Sequence, residues 1–174
     1  NLIFETMNEP RLIGTNKEWY FGSADSEGVD AIKTIVKLNQ DAVNTIRSRS
    51  GYNKTRYIMC PSYAAAPEFT THGSFSMPTD TIANRLIVSV HAYKPYDFAA
   101  NGSASGSWNS SMVNQLGFMD QLYNKFTTKG YGIVIGEFGA INKNNEADRC
   151  AWARDFTSKA KSLKMSCFLW DNDA

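Results

Sequence analysis

Two glutamates stand where apolar, strand-like runs stop. Glu9, in Asn8-Glu9-Pro10, follows Leu2-Ile3-Phe4-Glu5-Thr6-Met7, and Glu137, in Gly136-Glu137-Phe138-Gly139, follows Ile133-Val134-Ile135. Paired carboxyl groups at strand ends suit hydrolysis of a glycosidic bond. One protonates the leaving oxygen and the other meets the cation developing at the anomeric carbon. Two more strand-like runs end in groups that could serve such a site, at His91-Ala92-Tyr93 and at Phe168-Leu169-Trp170. Each motif alone is weak. Asn-Glu-Pro equally describes a solvated turn, Gly-Glu-Phe-Gly a hairpin bend, a lone histidine a structural hydrogen bond and a lone tryptophan a piece of core.

The elements that must position these groups alternate. Strand-like runs fall at 2–7, 55–60, 86–91, 132–136 and 166–170. Between them, apolar residues recur near a 3.6-residue period over Glu27 to Ser50, Ser110 to Lys129 and Asn145 to Leu163, and Gly51 and Gly130 supply two of the stops. Such alternation predicts right-handed crossovers and a parallel sheet with helices on its outer face. Loops after the strands (8–26, 61–81, 92–109) are long and rich in Gly, Ser, Asn, Pro and aromatics. In α/β barrels the loops at this end of the strands build the active site.

Side chains alternate faces along a strand. Strict alternation puts Glu137 on one face with Ile135 and Ile133, His91 with Tyr93, and Trp170 with Phe168. Glu5 shares parity with Glu9 and is expected one layer deeper, where a buried carboxylate needs a partner. Arg56 is the candidate.

With 174 residues the chain has room for one core and is too short for a complete (β/α)8 barrel. A net charge of +1 argues against nucleic acid or an anionic membrane as the main partner. No apolar run is long enough to span a bilayer, and no phosphate-cradling loop, Rossmann fingerprint or metal-ligand spacing is present, so no cofactor is expected. Cys60, Cys150 and Cys167 read as three buried free thiols, with a Cys150–Cys167 bridge as the alternative.

Taken together and in order, Asn8-Glu9-Pro10, His91-Ala92-Tyr93, Gly136-Glu137-Phe138-Gly139 and Phe168-Leu169-Trp170 resemble glycoside hydrolase family five, within the clan of retaining (β/α)8 glycosidases. The strings Phe4-Glu5-Thr6-Met7-Asn8-Glu9-Pro10-Arg11 and Ser89-Val90-His91-Ala92-Tyr93-Lys94-Pro95-Tyr96-Asp97-Phe98-Ala99 are similar to its endoglucanase branch. The likeness covers the whole chain and implies strands four to eight of the parent barrel, a C-terminal portion of one catalytic domain over residues 1–174. It implies that Glu9 is the general acid/base and Glu137 the nucleophile of a double displacement on β-1,4-glucan. Their carboxyl groups would then lie about 5–5.5 Å apart. It further implies that Asn8 meets the sugar 2-hydroxyl, that Tyr93 hydrogen-bonds the nucleophile and that His91 orients the site through Glu9. Trp170 would stack under a glucosyl ring.

Trp108, Tyr96, Asn142 and Lys143 are further candidates for sugar contacts, with Trp19, Tyr20 and Phe98 behind them. His72 is expected to have no role and Trp152 to be core. The resemblance implies a secreted enzyme acting on a β-1,4-linked polysaccharide or oligosaccharide. Family members also use an arginine and polar residues from the first three strands, for which this sequence has no positions, so reduced activity is expected of it. Two other readings stand beside the endoglucanase. One is a related glycosidase acting on mannan, xyloglucan or mixed-linkage glucan; the other is a non-catalytic sugar-binding or scaffold half-barrel. An open sheet edge at each end leads to a further expectation, a homodimer or other self-association.

Overall fold

The β-branched runs pair side by side and the amphipathic stretches between them pack on one face. The structure, a computed structural model, describes residues 2–170. Strands β1 (Phe4–Glu5), β2 (Ile58–Pro61), β3 (Leu86–His91), β4 (Gly132–Phe138) and β5 (Ser166–Leu169) form one parallel sheet in sequence order. The expected half of a (β/α)8 barrel is therefore present. Helices α1 (Ser26–Arg47), α2 (Pro67–Thr71), α3 (Tyr96–Ala99), α4 (Phe118–Lys125) and α5 (Glu146–Ser162) connect the strands.

Helix α1 starts at Asp25, whose carboxylate caps Gly28 N–H at 2.9 Å, and buries Ile32, Ile35, Asn39 and Val43 along one stripe. Asn39 is the polar member of that stripe. It accepts from Thr6 Oγ1 at 2.6 Å and donates to Pro61 O at 2.9 Å, so one buried amide ties the chain after β1 to the end of β2. Replacing Asn39 with alanine strands a hydroxyl and a carbonyl. A loss of about 1–3 kcal/mol is expected, read as a lower urea midpoint at unchanged m-value.

Helix α5 packs Trp152, Phe156 and Ala160 against the sheet, and Phe138 stacks on Phe156 with ring centroids 4.6 Å apart. Trp152 is core as expected, its indole N–H donating to Lys94 O. One ion pair of the outer layer is buried. Arg47 and Asp80 form a doubly hydrogen-bonded pair (2.8 and 2.7 Å) whose side chains are 6% and 5% exposed, and Arg47 also donates to the carbonyls of Asn53 and Arg56.

Several expectations fail for identifiable reasons. The helix expected over 110–129 is broken into a 3-10 segment (Ser110–Leu116), α4 and a 3-10 turn (Thr127–Lys129), with Gly117 at the first break. Strand β1 is shorter than 2–7 because it has a neighbour on one side only, while Phe4 and Thr6 still donate to Tyr57 and Met59. Strict alternation fails on β4. Ile133 and Ile135 are buried among the helices, not on the face of Glu137. Val90 pairs with Ile135 but His91 pairs with Glu137, so Gly136 is an extra residue, a β-bulge that flips the face.

Glu5 is exposed rather than buried, and Arg56 is not its partner. The Arg56 guanidinium donates to Asn53 and to Leu2 O and lies over the Phe4 ring, whereas Ser89 Oγ donates to Glu5 Oε1. All three cysteines are free, but only Cys60 is buried; Cys150 is exposed and Cys167 half-buried. Burial pushes the Cys60 thiol up to about 12, which keeps it unreactive.

Candidate active site

The site lies at the C-terminal ends of the strands. His91 ends β3, Glu137 is the second-last residue of β4, and Glu9 follows β1 in a loop that the neighbouring segment holds down. Pro10 O accepts from Ala64 N–H, Leu12 N–H donates to the Tyr63 hydroxyl, and that hydroxyl donates to Lys17 O. Tyr63 is fully buried, and Ala64 and Ala65 beside it adopt φ of +49°. Such backbone strain collects where structure over-determines a functional loop.

Residues distant in sequence meet here. One ligand atom each from Glu9, His91 and Glu137 lie within 4.8 Å of one another. His91 Nδ1 is 2.8 Å from Glu9 Oε1 and 3.4 Å from Glu137 Oε2, and the Tyr93 hydroxyl donates to Glu137 Oε2 at 2.7 Å. With Glu9 ionised, Nδ1 must carry the hydrogen, since a carboxylate only accepts. The Gly136 bulge brings Glu137 to this face. It also leaves room for the imidazole, because a Cβ at 136 would sit 3.4 Å from His91 Nε2. No metal-binding spacing is visible in the sequence, yet this trio is the one set of three such donors that converges among the described residues. Its atoms are engaged in hydrogen bonds with one another and with Tyr93.

Burial opposes a charge on His91, but the Glu9 hydrogen bond and the Glu137 and Glu9 charges outweigh it, so its pKa is raised above the usual histidine value. A raised folded-state pKa stabilises the fold fully below the unfolded value of about 6.5 and is lost as pH climbs through the folded value. Urea midpoints should therefore fall as pH rises above about 6.5, and this slope should flatten in His91→Gln. An equal slope in both proteins would refute the assignment. Burial and then the Glu137 hydrogen bond raise the Tyr93 pKa well above the usual phenol value, so Tyr93 stays a donor.

The remaining candidates divide. Trp170, 53% exposed, directly follows β5, its N–H bonded to Phe138 O, and Tyr96 is 60% exposed on the rim. Asn8 is exposed beside Glu9. Trp108 is a correction. At 5% exposure it is core, packed on Phe98 with its indole N–H donating to Asp155, and it offers no sugar platform. Phe98 is core too. Lys143 is also corrected: its ammonium is committed to the carbonyls of Asp97, Ala104 and Ser105. Asn142 Oδ1 accepts from Asn144 N–H, a local turn bond. His72 is held by Ser23 O and Ser74 N–H, away from the site.

Sequence reasoning missed Arg11. It donates to Glu9 O, lies 3.7 Å from Glu9 Oε2, pairs with Glu18 and stacks 4.0 Å over the exposed Trp19 ring. Its position directly after Pro10 was the available signal. A cavity of about 590 Å³ lies at the opposite ends of β1 to β3, lined by Leu2, Ile3, Arg56, Tyr57 and Arg85, and takes no part in this chemistry.

A parallel half-barrel that brings two carboxylates together at its C-terminal strand ends defines the class of (β/α)8 glycosidases. The chain belongs to the cellulase family, glycosyl hydrolase family 5, whose family model matches residues 1–174. It is 39% identical to Endoglucanase B of Neocallimastix patriciarum and 41% to Endoglucanase A of Clostridium longisporum, across 99% of this chain and 35% and 33% of those proteins. Among solved structures it resembles a mutant glycoside hydrolase 5 lichenase from Caldicellulosiruptor sp. F32 in complex with cellotetraose (TM-score 0.93, 43% identity). It also resembles a broad-specificity endoglucanase from Ruminococcus champanellensis with bound cellotriose (TM-score 0.89, 42% identity). Each superposition covers 99% of this chain and 49% of the other. The chain thus spans about half the length of these structures and about a third of the curated relatives.

Proposed function

We propose that residues 1–174 are a portion of a single (β/α)8 catalytic domain that hydrolyses β-1,4-glucan with retention of configuration. The observation that carries this reading is the meeting of Glu9 and Glu137, whose facing atoms lie within 4.8 Å. That approach supports the close carboxyl spacing of a retaining enzyme over the wider gap an inverting enzyme needs for its water. Glu137 attacks the anomeric carbon while Glu9 gives its proton to the leaving oxygen. Glu9 then takes a proton from the water that releases the glycosyl–enzyme. Tyr93 occupies Glu137 Oε2, which leaves Oε1 to attack. Asn8 meets the 2-hydroxyl, and the Trp170 ring, with Tyr96 further out, carries the sugar faces. A polymeric substrate that cannot enter a cell places such an enzyme outside it.

The test is hydrolysis of carboxymethylcellulose and of a chromogenic cellobioside, with proton NMR of the first anomer released. The β-anomer is expected first; the α-anomer would dismiss the double displacement. Binding of cello-oligosaccharides with no hydrolysis would favour the scaffold reading. The lichenase among the similar structures favours mixed-linkage glucan as the second specificity, which a panel including barley β-glucan, mannan and xyloglucan separates.

The proposed self-association rests on Leu2, Ile3, Phe168, Leu169 and Trp170, which are exposed along the two outer strands. A second copy would cover them. Light scattering that found a monomer at micromolar concentration would dismiss the dimer.

A further inference from the structure

Glu5 is a carboxylate that the double displacement leaves unused. It stands on β1, and its Oε1 accepts from Ser89 Oγ across β2. Ser89 is fully buried and lies two residues before His91 on β3, hence on the same face. Gly136 opens a notch between them, where a Cβ would lie 4.0 Å from Ser89 Oγ and 3.4 Å from His91 Nε2. The imidazole thus meets two carboxylates at Nδ1, while Nε2 and the Ser89 hydroxyl both border Gly136.

We propose that Glu5 is a positioning residue that acts through Ser89 on His91, holding the imidazole with its Nδ1–H aimed at Glu9. The groups facing His91 agree with this. From β1 and its loop come Glu5 and Glu9, and from β4 comes Glu137. The Tyr93 phenol donates to Glu137, and the Arg11 cation lies 3.7 Å from Glu9 Oε2. The negative charge of Glu5 adds to the pull that raises the His91 pKa, behind burial, which lowers it, and behind Glu9 and Glu137. The effect on turnover rests on Glu9 being the acid/base; the effect on the imidazole does not.

The chain has two histidines, which makes the test direct. Imidazole nitrogen NMR should give a His91 midpoint lowered by on the order of half a unit in Glu5→Gln, less than an adjacent charge produces. His72 should not move. Ser89→Ala should lower the His91 midpoint less, and Glu5→Asp should stay near wild type. In activity, the alkaline limb of kcat/KM should move to lower pH in Glu5→Gln with KM unchanged. An unmoved His91 midpoint in Glu5→Gln, or an equal shift in Glu5→Asp, would overturn the proposal by showing a purely structural tie. If Glu5→Gln does not fold, Ser89→Ala alone decides on the same readout. An inactive protein with the expected NMR shift would sink the hydrolase reading and leave this one standing.

Discussion

Glu137→Gln is expected to abolish hydrolysis of every substrate, whereas Glu9→Gln should discriminate between substrates by their leaving groups. The difference follows from the proposed roles, nucleophile for Glu137 and acid/base for Glu9. Without a carboxylate at 137 nothing attacks the anomeric carbon, so even an activated aryl cellobioside stays intact. Without an acid at 9 the attack can still proceed when the leaving phenolate needs no proton. Glu9→Gln should therefore lose about 10²–10⁴-fold on carboxymethylcellulose, the usual scale of general acid–base help, and far less in the first step on a dinitrophenyl glycoside. A burst of phenolate followed by slow turnover is the expected trace, because release of the glycosyl–enzyme still wants Glu9 as base. Parallel loss on all substrates in both variants would show that the two residues do not divide the work this way.

The second large effect is on stability. Asp80→Ala leaves the Arg47 guanidinium buried beside an empty site, and a loss of about 3–5 kcal/mol is expected. Against a typical domain stability of about 5–15 kcal/mol this is severe. Pairing Arg47→Met with Asp80→Leu should recover part of it, since removing both charges removes the desolvation problem. Acid should act in the same direction. Burial alone would raise the Asp80 pKa, but the Arg47 hydrogen bond wins and holds it below the usual carboxylate value. A depressed folded pKa gives stability that is complete above the unfolded value of about 3.9 and disappears as pH falls through the folded one. Wild type should thus lose urea resistance below about pH 4, while Asp80→Ala lacks that component throughout. A shared acid slope would remove Asp80 as its source.

Much of this architecture was legible because it is periodic. The β-branched runs and 3.6-residue stripes predict five parallel strands in order, and the resemblance placed Glu9, His91, Tyr93 and Glu137 where the sheet brings them together. What was not legible depends on single residues that break a period or on contacts between loops. Gly136 flips β4, so parity put Ile133 and Ile135 on the wrong face. Gly117 divides a stripe whose apolar residues fit either helical pitch. Trp108 in a Gly- and Ser-rich loop looks like a rim aromatic. It is instead anchored by Asp148 and Asp155 on a helix far along the chain, contacts that no local pattern encodes. Arg11 was equally hidden, because its three partners, Glu9, Glu18 and Trp19, are known only once the 9–19 loop has folded back on itself.

The extra residue on β4 makes the orientation of Glu137 a matter of reading frame. Ile133 and Ile135 address hydrocarbon, and Glu137 addresses the open face it shares with Glu9 and His91, with one glycine as the change of phase. Substitutions among apolar residues at 133–135 keep that phase, since strand side chains alternate faces whatever their type. Loss or gain of a single codon there would turn the acid half a revolution, into the layer of Phe156 and Trp152. Segment length within β4 from Ile135 to Glu137, more than the identity of its apolar residues, is what recombination or grafting in this half-barrel has to preserve.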